Sequence, residues 1–201
     1  MKTLTEHINE ALKIGKNLSE WSAYSCQPKT YRELKQIIKD RIDKEGPNCD
    51  LNDIDTSLIE DMSWLFRHSS FNGDISRWNT SNVTNMSYMF ADSKFNGDIS
   101  KWDTSSVKNM EWMFQKSKFN GDISNWNVNN VTNMECMFYE SSFNKDISEW
   151  NTSGVKDMLA MFMDSKFNGD ISNWKIDKYC GVNDMFTGCP IKEEYKPKLP
   201  R

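Results

Sequence analysis

The chain is poor in the residues that carry most enzymatic and metal chemistry. Only two of its 201 residues are histidine, His7 and His68. Neither stands in a repeated context or near a plausible Cys or Ser partner, and there is no phosphate loop, nucleophile elbow or metal-ligand spacing. The five cysteines, Cys26, Cys49, Cys136, Cys180 and Cys189, are odd in number and irregularly spaced. A disulfide ladder or a zinc site in a repetitive chain would repeat its ligands, so these read as reduced thiols. No apolar run approaches the ~18–20 residues of a membrane span. The start, MKTLTEHINEALKIG, lacks the basic-then-apolar layout of a signal peptide. Together these features lead to the expectation of a non-enzymatic protein without cofactor or metal, without membrane insertion, and located in the cytoplasm (or inside a virion if phage-encoded). A surface location would need an export route that the sequence does not display.

Charge of one sign is scarce where nucleic acid would need it. The net charge is −4, and it is unevenly spread. Residues 1–46 carry nine basic and seven acidic side chains, residues 191–201 four and two, and the block 47–190 twelve and twenty. An acidic block is a poor match to a polyanion, so the expected partner is a protein and not nucleic acid.

What the chain has in abundance is Trp, Phe and Met at a fixed step. FNGDISRWNTSNVTNMSYMFADSK, residues 71–94, recurs every 24 residues. Phe71, Phe95, Phe119, Phe143 and Phe167 form one column; Trp78, Trp102, Trp126, Trp150 and Trp174 form another. Self-similarity at such a period marks a repeat array. An earlier copy, PNCDLNDIDTSLIEDMSWLF at 47–66, aligns without a gap and has Ile54 where the others have Trp. Copies starting at 47, 71, 95, 119, 143 and 167 give six.

Within a unit, Asp74-Ile75-Ser76 is short and β-compatible, and Asn79-Thr80-Ser81-Asn82 is turn-rich. Val83, Met86, Met89 and Phe90 then recur at helical spacing behind Thr80 or Ser81 as N-cap. The expected fold is an α/β repeat solenoid of leucine-rich-repeat type, with one short parallel strand and one short helix per 24 residues. A three-sided β-helix is the competing geometry, and the helical spacing of Met and Phe weighs against it. The expected boundaries are a helical N-terminal segment and cap at 1–46, a six-repeat solenoid at 47–190 and a tail at 191–201. Two capping boxes, Thr3 with Glu6 and Thr30 with Glu33, open helices over 1–14 and up to Gly46–Pro47. The second helix sits where an exposed solenoid end needs cover.

Two columns offer themselves as a contact face. Asp50, Asp74, Asp98, Asp122, Asp146 and Asp170 form a carboxylate column, accompanied by Ser76, Ser100, Ser124, Ser148 and Ser172. Stacked acids repel, so backbone N–H groups, the serines, nearby basic residues or a cation must compensate. The simplest reading is that each Asp fixes a turn. The Asn72, Asn96, Asn120, Asn144 and Asn168 column reads as a side-chain ladder, and the strict register of the Trp column as core. The position before Trp varies: Asp53, Arg77, Lys101, Asn125, Glu149, Asn173. An exposed variable column on a fixed scaffold suits partner reading. Expected partner contacts are this column together with Asp74, Asp98, Asp122 and Asp146.

The units FNGDISRWNTSNVTNMSYMF, FNGDISKWDTSSVKNMEWMF and FNKDISEWNTSGVKDMLAMF resemble the BspA-like leucine-rich-type repeats of bacterial surface proteins and mycoplasma lipoproteins. The resemblance covers about residues 47–186 and rests on F-N-x-D-I-S-x-W and V-x-x-M-x-x-M-F. It implies a scaffold associated with adhesion and protein–protein contact, without catalytic residues. The opening MKTLTEHINEALKIGK is similar to the capsid-targeting peptide of T-even-like phage internal proteins. That similarity implies removal after Ile8-Asn9-Glu10 and a packaged structural protein as the alternative function.

Overall fold

The computed structural model describes residues 24–200. The helix expected over 1–14 and the Ile8-Asn9-Glu10 sequence lie outside the described residues.

The described chain opens with Ser25–Gln27 laid along the first unit. The Ser25 N–H donates to the Asp53 carbonyl at 2.7 Å, and the Asp55 N–H donates to that of Cys26 at 2.8 Å. Helix α1, Tyr31–Glu45, follows. Thr30 is its N-cap: its Oγ1 accepts the Glu33 N–H at 3.2 Å. The Glu33 carboxylate reaches back to the Lys29 N–H at 2.6 Å, so the capping box closes one residue earlier than its usual form. Gly46, at φ 90°, ends the helix in the left-handed region that favours glycine. Leu34 and Ile38, four apart and therefore on one face, are buried against the core. The Arg41 guanidinium pins α1 to the first unit through Asp53 at 2.9 Å and the Asp50 carbonyl at 2.9 Å. The helix thus covers one end of the repeat block, where the sequence placed it.

From residue 47 onward the 24-residue units lie on one another as successive turns of one coil. Parallel bridges link Asp50 to Asp74, and then Asp61, Asn85, Asn109, Asn133, Asp157 and Gly181 in series. No longer strand forms among the described residues. The helix expected over Val83–Phe90 is also not formed: α1 is the only α-helix among the described residues. In its place the chain makes consecutive turns. The Met89 N–H donates to the Met86 carbonyl and the Ala91 N–H to that of Tyr88, with left-handed residues at Tyr88 (φ 57°) and Asp92 (φ 51°). The same pair recurs at Trp64 and His68, Trp112 and Lys116, Cys136 and Glu140, and Ala160 and Asp164.

The physical reason is the thickness of a layer. Phe66 and Phe90 repeat at 5.6 Å, Phe90 and Phe114 at 5.6 Å, and Phe114 and Phe138 at 5.7 Å. An α-helix with side chains is about 10–12 Å across, and one per unit would hold these rings apart. The turn segment instead satisfies its backbone between units. The N–H groups of Met86, Tyr88, Phe90 and Asp92 donate to the carbonyls of Asn109, Glu111, Met113 and Gln115 at 2.7–3.0 Å. Val83, Met86, Met89 and Phe90 are all buried, so a helical spacing of apolar residues arises here without a helix.

The core is a set of columns running the length of the stack. Phe71, Phe95, Phe119, Phe143 and Phe167 repeat at 6.1–6.3 Å with nearly parallel rings. They meet the second Phe column at 4.3–4.6 Å. Each Trp of the column is buried and spends its indole N–H on the unit before. Trp126 Nε1 donates to the Ile99 carbonyl at 3.1 Å, and Trp150 does the same to Ile123. The buried Thr80, Thr104 and Thr56 hydroxyls tie each unit to the next through the carbonyls of Asp103, Asn127 and Asn79. The tail returns as a strap: the Ile171 N–H donates to the Tyr195 carbonyl at 3.0 Å, and Ile191 and Pro197 are buried.

Candidate functional site

The face that carries the Asp column is built from Asx turns. Oδ1 of Asp74, Asp98, Asp122 and Asp146 accepts the N–H of Ser76, Ser100, Ser124 and Ser148, each at 2.9 Å; Asp170 does so from Ser172 at 3.0 Å. In the first unit Asp50 accepts from Asn52. Asp and Asn suit this position because their short side chains reach the backbone two residues on. Beside this column, each asparagine carbonyl of the Asn ladder accepts the N–H of the next asparagine. The steps Asn72 to Asn96, Asn96 to Asn120, Asn120 to Asn144 and Asn144 to Asn168 all measure 2.8 Å.

The acid column is not left to repel itself. The Ser76 N–H holds the Asp74 carboxyl below its ordinary value, with the Asn52 amide and Arg77 adding to the effect. The Ser100 N–H and hydroxyl do the same for Asp98, and Lys101 assists against the raising influence of Asp74. Asp122 is lowered by Ser124 and by Lys145, and Asp170 by Ser172. Part of the variable column therefore serves as counter-charge to the fixed one.

These shifts fix the sign of an acid response. The folded values lie below the unfolded ones, so the stabilisation is present above the unfolded value and is lost as pH falls through the folded one. We expect the melting temperature to hold steady down to the ordinary aspartate value of 3.8 and to fall below it. Asn85, Asn109 and Asn133 close the same kind of turn without a titratable group. Asp98→Asn with Asp122→Asn should therefore keep the fold and flatten the acid limb. A circular-dichroism melt series across pH checks this, and an unchanged acid limb would refute it.

Two open recesses lie on this face. One, of about 630 Å³, is walled by Asp146, Glu149, Asp170 and Asn173. The other, of about 500 Å³, is walled by Asn72, Asp74, Ser76 and Asp98. The structure thus brings together Asp146, Glu149 and Asn173 at one end and Asp74 and Asp98 at the other. Arg77, Lys101, Asp122 and Asn125 are exposed but line neither recess. Asp53 is different: its half-buried carboxylate is committed to Arg41 at 2.9 and 3.1 Å. No group of three or more His, Cys, Asp or Glu side chains is placed to hold a metal among the described residues.

Sequence reasoning missed several columns. Asn79, Asp103, Asn127 and Asn151 close a second set of Asx turns, and Asp61, Asn85, Asn109, Asn133 and Asp157 a third. The Asx-plus-two spacing was the available signal. A surface strip of Trp64, Tyr88 and Trp112, stacked at 4.1 and 5.7 Å, was also missed. Its residues sit at the left-handed corner, and no helical or strand pattern singles them out. The five cysteines are unpaired thiols. Burial, followed by the charges of Glu135 and Asp157, pushes the Cys136 thiol up to about 12, far from a reactive thiolate.

Columns of identical side chains, each fixing the backbone of its own unit or the next, define a repeat protein with a nearly invariant frame. The chain belongs to the family described as "Mycoplasma protein of unknown function, DUF285", whose model matches residues 33–142 and again 95–196. No curated protein and no solved structure matches the chain. No helix among the described residues is long and apolar enough to cross a membrane.

Proposed function

We propose that the chain is a non-enzymatic repeat solenoid, a scaffold of the BspA-like kind, that binds a protein partner along the Asn/Asp/Ser face. The observation that carries this reading is the division of labour among the columns. Phe, Trp, Met, Thr, Asn and Asp side chains are taken up by core packing or backbone hydrogen bonds. The column before Trp projects outward and changes from Arg77 and Lys101 to Asn125, Glu149 and Asn173. Two recesses flank it at opposite ends. A groove that is basic toward one end and acidic toward the other favours a partner segment of opposite charge order in one direction. The alternative, a packaged internal protein of a phage, rests on the sequence of residues 1–16.

The test is recovery of partners from the native source by the intact chain, quantified by mass spectrometry. Arg77→Glu with Lys101→Glu, and separately Glu149→Ala with Asn173→Ala, should each lower recovery of the same partner several-fold with the melt unchanged. Recovery unaltered by both pairs would remove this face from consideration.

A further inference from the structure

The turn segment of each unit is polar in a way ordinary strands are not. At the first junction the N–H groups of Met62, Trp64, Phe66 and His68 donate to the carbonyls of Asn85, Ser87, Met89 and Ala91. The same four bonds recur at the next four junctions, all pointing from the earlier unit to the later and all 2.7–3.0 Å long. In this arm every second N–H points toward the C-terminal end of the stack and every intervening carbonyl toward the N-terminal end. An ordinary β-strand instead alternates N–H and C=O along each edge.

The ends of the stack are therefore unlike and complementary. Among the described residues, the N–H groups of Val182, Asp184, Phe186 and Gly188 donate to nothing, and the carbonyls of Asp61, Ser63, Leu65 and Arg67 accept nothing. An added strand from an unrelated protein would satisfy only half of such a donor row. The match for four donors at alternate residues is a row of four carbonyls at alternate residues, and this chain's own first unit carries one. Apolar exposure falls at the same places. The exposed large hydrophobic residues are Leu58 and Trp64 in the first unit and Leu159, Tyr179 and Leu199 in the last two units and the tail, with none between. The column Trp64, Tyr88, Trp112, Cys136, Ala160, Asp184 continues, one step further, into Trp64 of a following copy. That step brings the Asp184 carboxylate toward the Arg67 guanidinium, which lies 4.3 Å over the Trp64 ring.

We propose that the protein associates head to tail with a second copy of itself, the 182–188 donor row of one chain taking the 61–67 carbonyl row of the next. The contact is heterologous, so it leaves one open end on each side and extends beyond a dimer unless it closes into a ring. Residues 1–23 of the same chain are the competing occupant of the carbonyl row.

Sedimentation velocity of the full chain up to millimolar concentration tests this. The wild type should pass beyond dimer mass with rising concentration. Trp64→Glu and Phe186→Glu each spoil one end, so each alone should stay monomeric, and an equimolar mixture should give a dimer and nothing larger. Where either variant loses its near-ultraviolet dichroism, Arg67→Glu and Asp184→Lys, both at exposed positions, replace them in the same design. A wild type that stays monomeric throughout overturns the proposal, as it would if residues 1–23 cover the carbonyl row. A single-end variant that still dimerises also overturns it, because it shows a symmetric contact elsewhere.

Discussion

Phe114→Ala should destabilise the protein by about 3–5 kcal/mol, the range for removing a large aromatic side chain from a packed core. Phe114 is fully buried and has four aromatic neighbours: Phe90 at 5.6 Å, Phe119 at 4.4 Å, Trp126 at 6.2 Å and Phe138 at 5.7 Å. Two of these, Phe90 and Phe138, belong to the same column in the units on either side. The cavity would therefore weaken two junctions at once, and rings held on the far side by their own columns cannot collapse into it. Phe186 occupies the same column in the last unit, is partly exposed and has one stacked ring neighbour, Phe162 at 5.9 Å. Phe186→Ala should cost about 1–2 kcal/mol, within the ordinary range for single substitutions. Urea melts of both variants check this. In a stack whose units depend on nearest neighbours, an interior loss must exceed a terminal one. Equal losses would mean that the units do not stabilise one another.

How the sequence anticipates the fold divides along one line. Side-chain columns are legible, because a 24-residue step repeats Phe, Trp, Asn and Asp, and each column turns out to be continuous in space. Helix α1 is legible too, since Thr30, Glu33 and Gly46 act through local chemistry that needs no partner unit. The backbone between the columns is not. Val83, Met86, Met89 and Phe90 carry the apolar spacing of a helix, and nothing local forbids one. What decides the matter is the 5.6 Å ring repeat, a distance between units that does not exist in any one of them. The left-handed corners fall on Trp64, Tyr88, Trp112, Cys136 and Ala160, residues with no intrinsic taste for that region. They hold it because four inter-unit hydrogen bonds on either side leave no other path.

The candidate face shows the same division. Asp98 and Asn96 announce their hydrogen bonds through residue type and register. The counter-charge role of Arg77, Lys101 and Lys145 toward the acid column does not follow from the repeat, since these positions vary from unit to unit. That role also sharpens the partner reading. Lys101 sits beside a carboxylate it already helps to hold in the charged form, so a partner carboxylate arriving there would compete with Asp98. Asn125, Glu149 and Asn173 carry no such commitment and stand as the freer contact positions.

The position after the ladder asparagine supports the sharpest backbone test. It reads Gly73, Gly97, Gly121, Lys145 and Gly169, and Lys145 shows that a side chain can stand there in at least one unit. At Gly121 an added Cβ would lie 2.9 Å from the Phe119 ring edge and 3.6 Å from the Gly97 carbonyl oxygen. A small ring shift relieves that, as it must beside Lys145, so Gly121→Ala should cost under about 1 kcal/mol. At Gly73 the same atom would lie 1.9 Å from the Cys49 carbonyl oxygen. That oxygen is backbone and cannot rotate away, and it is the acceptor of the Asp74 N–H. The first and second units would have to separate locally, losing that bond and the adjoining Asp50–Asp74 bridge. Gly73→Ala should therefore cost about 3 kcal/mol, at the upper end for an overpacked site. Hydrogen exchange at the Asp74 and Leu51 amides should accelerate in this variant, while exchange at Met110 and Phe114, two junctions away, should change only as far as global stability requires. Equal melts for Gly73→Ala and Gly121→Ala would show that the first junction lacks the close backbone approach on which this contrast depends.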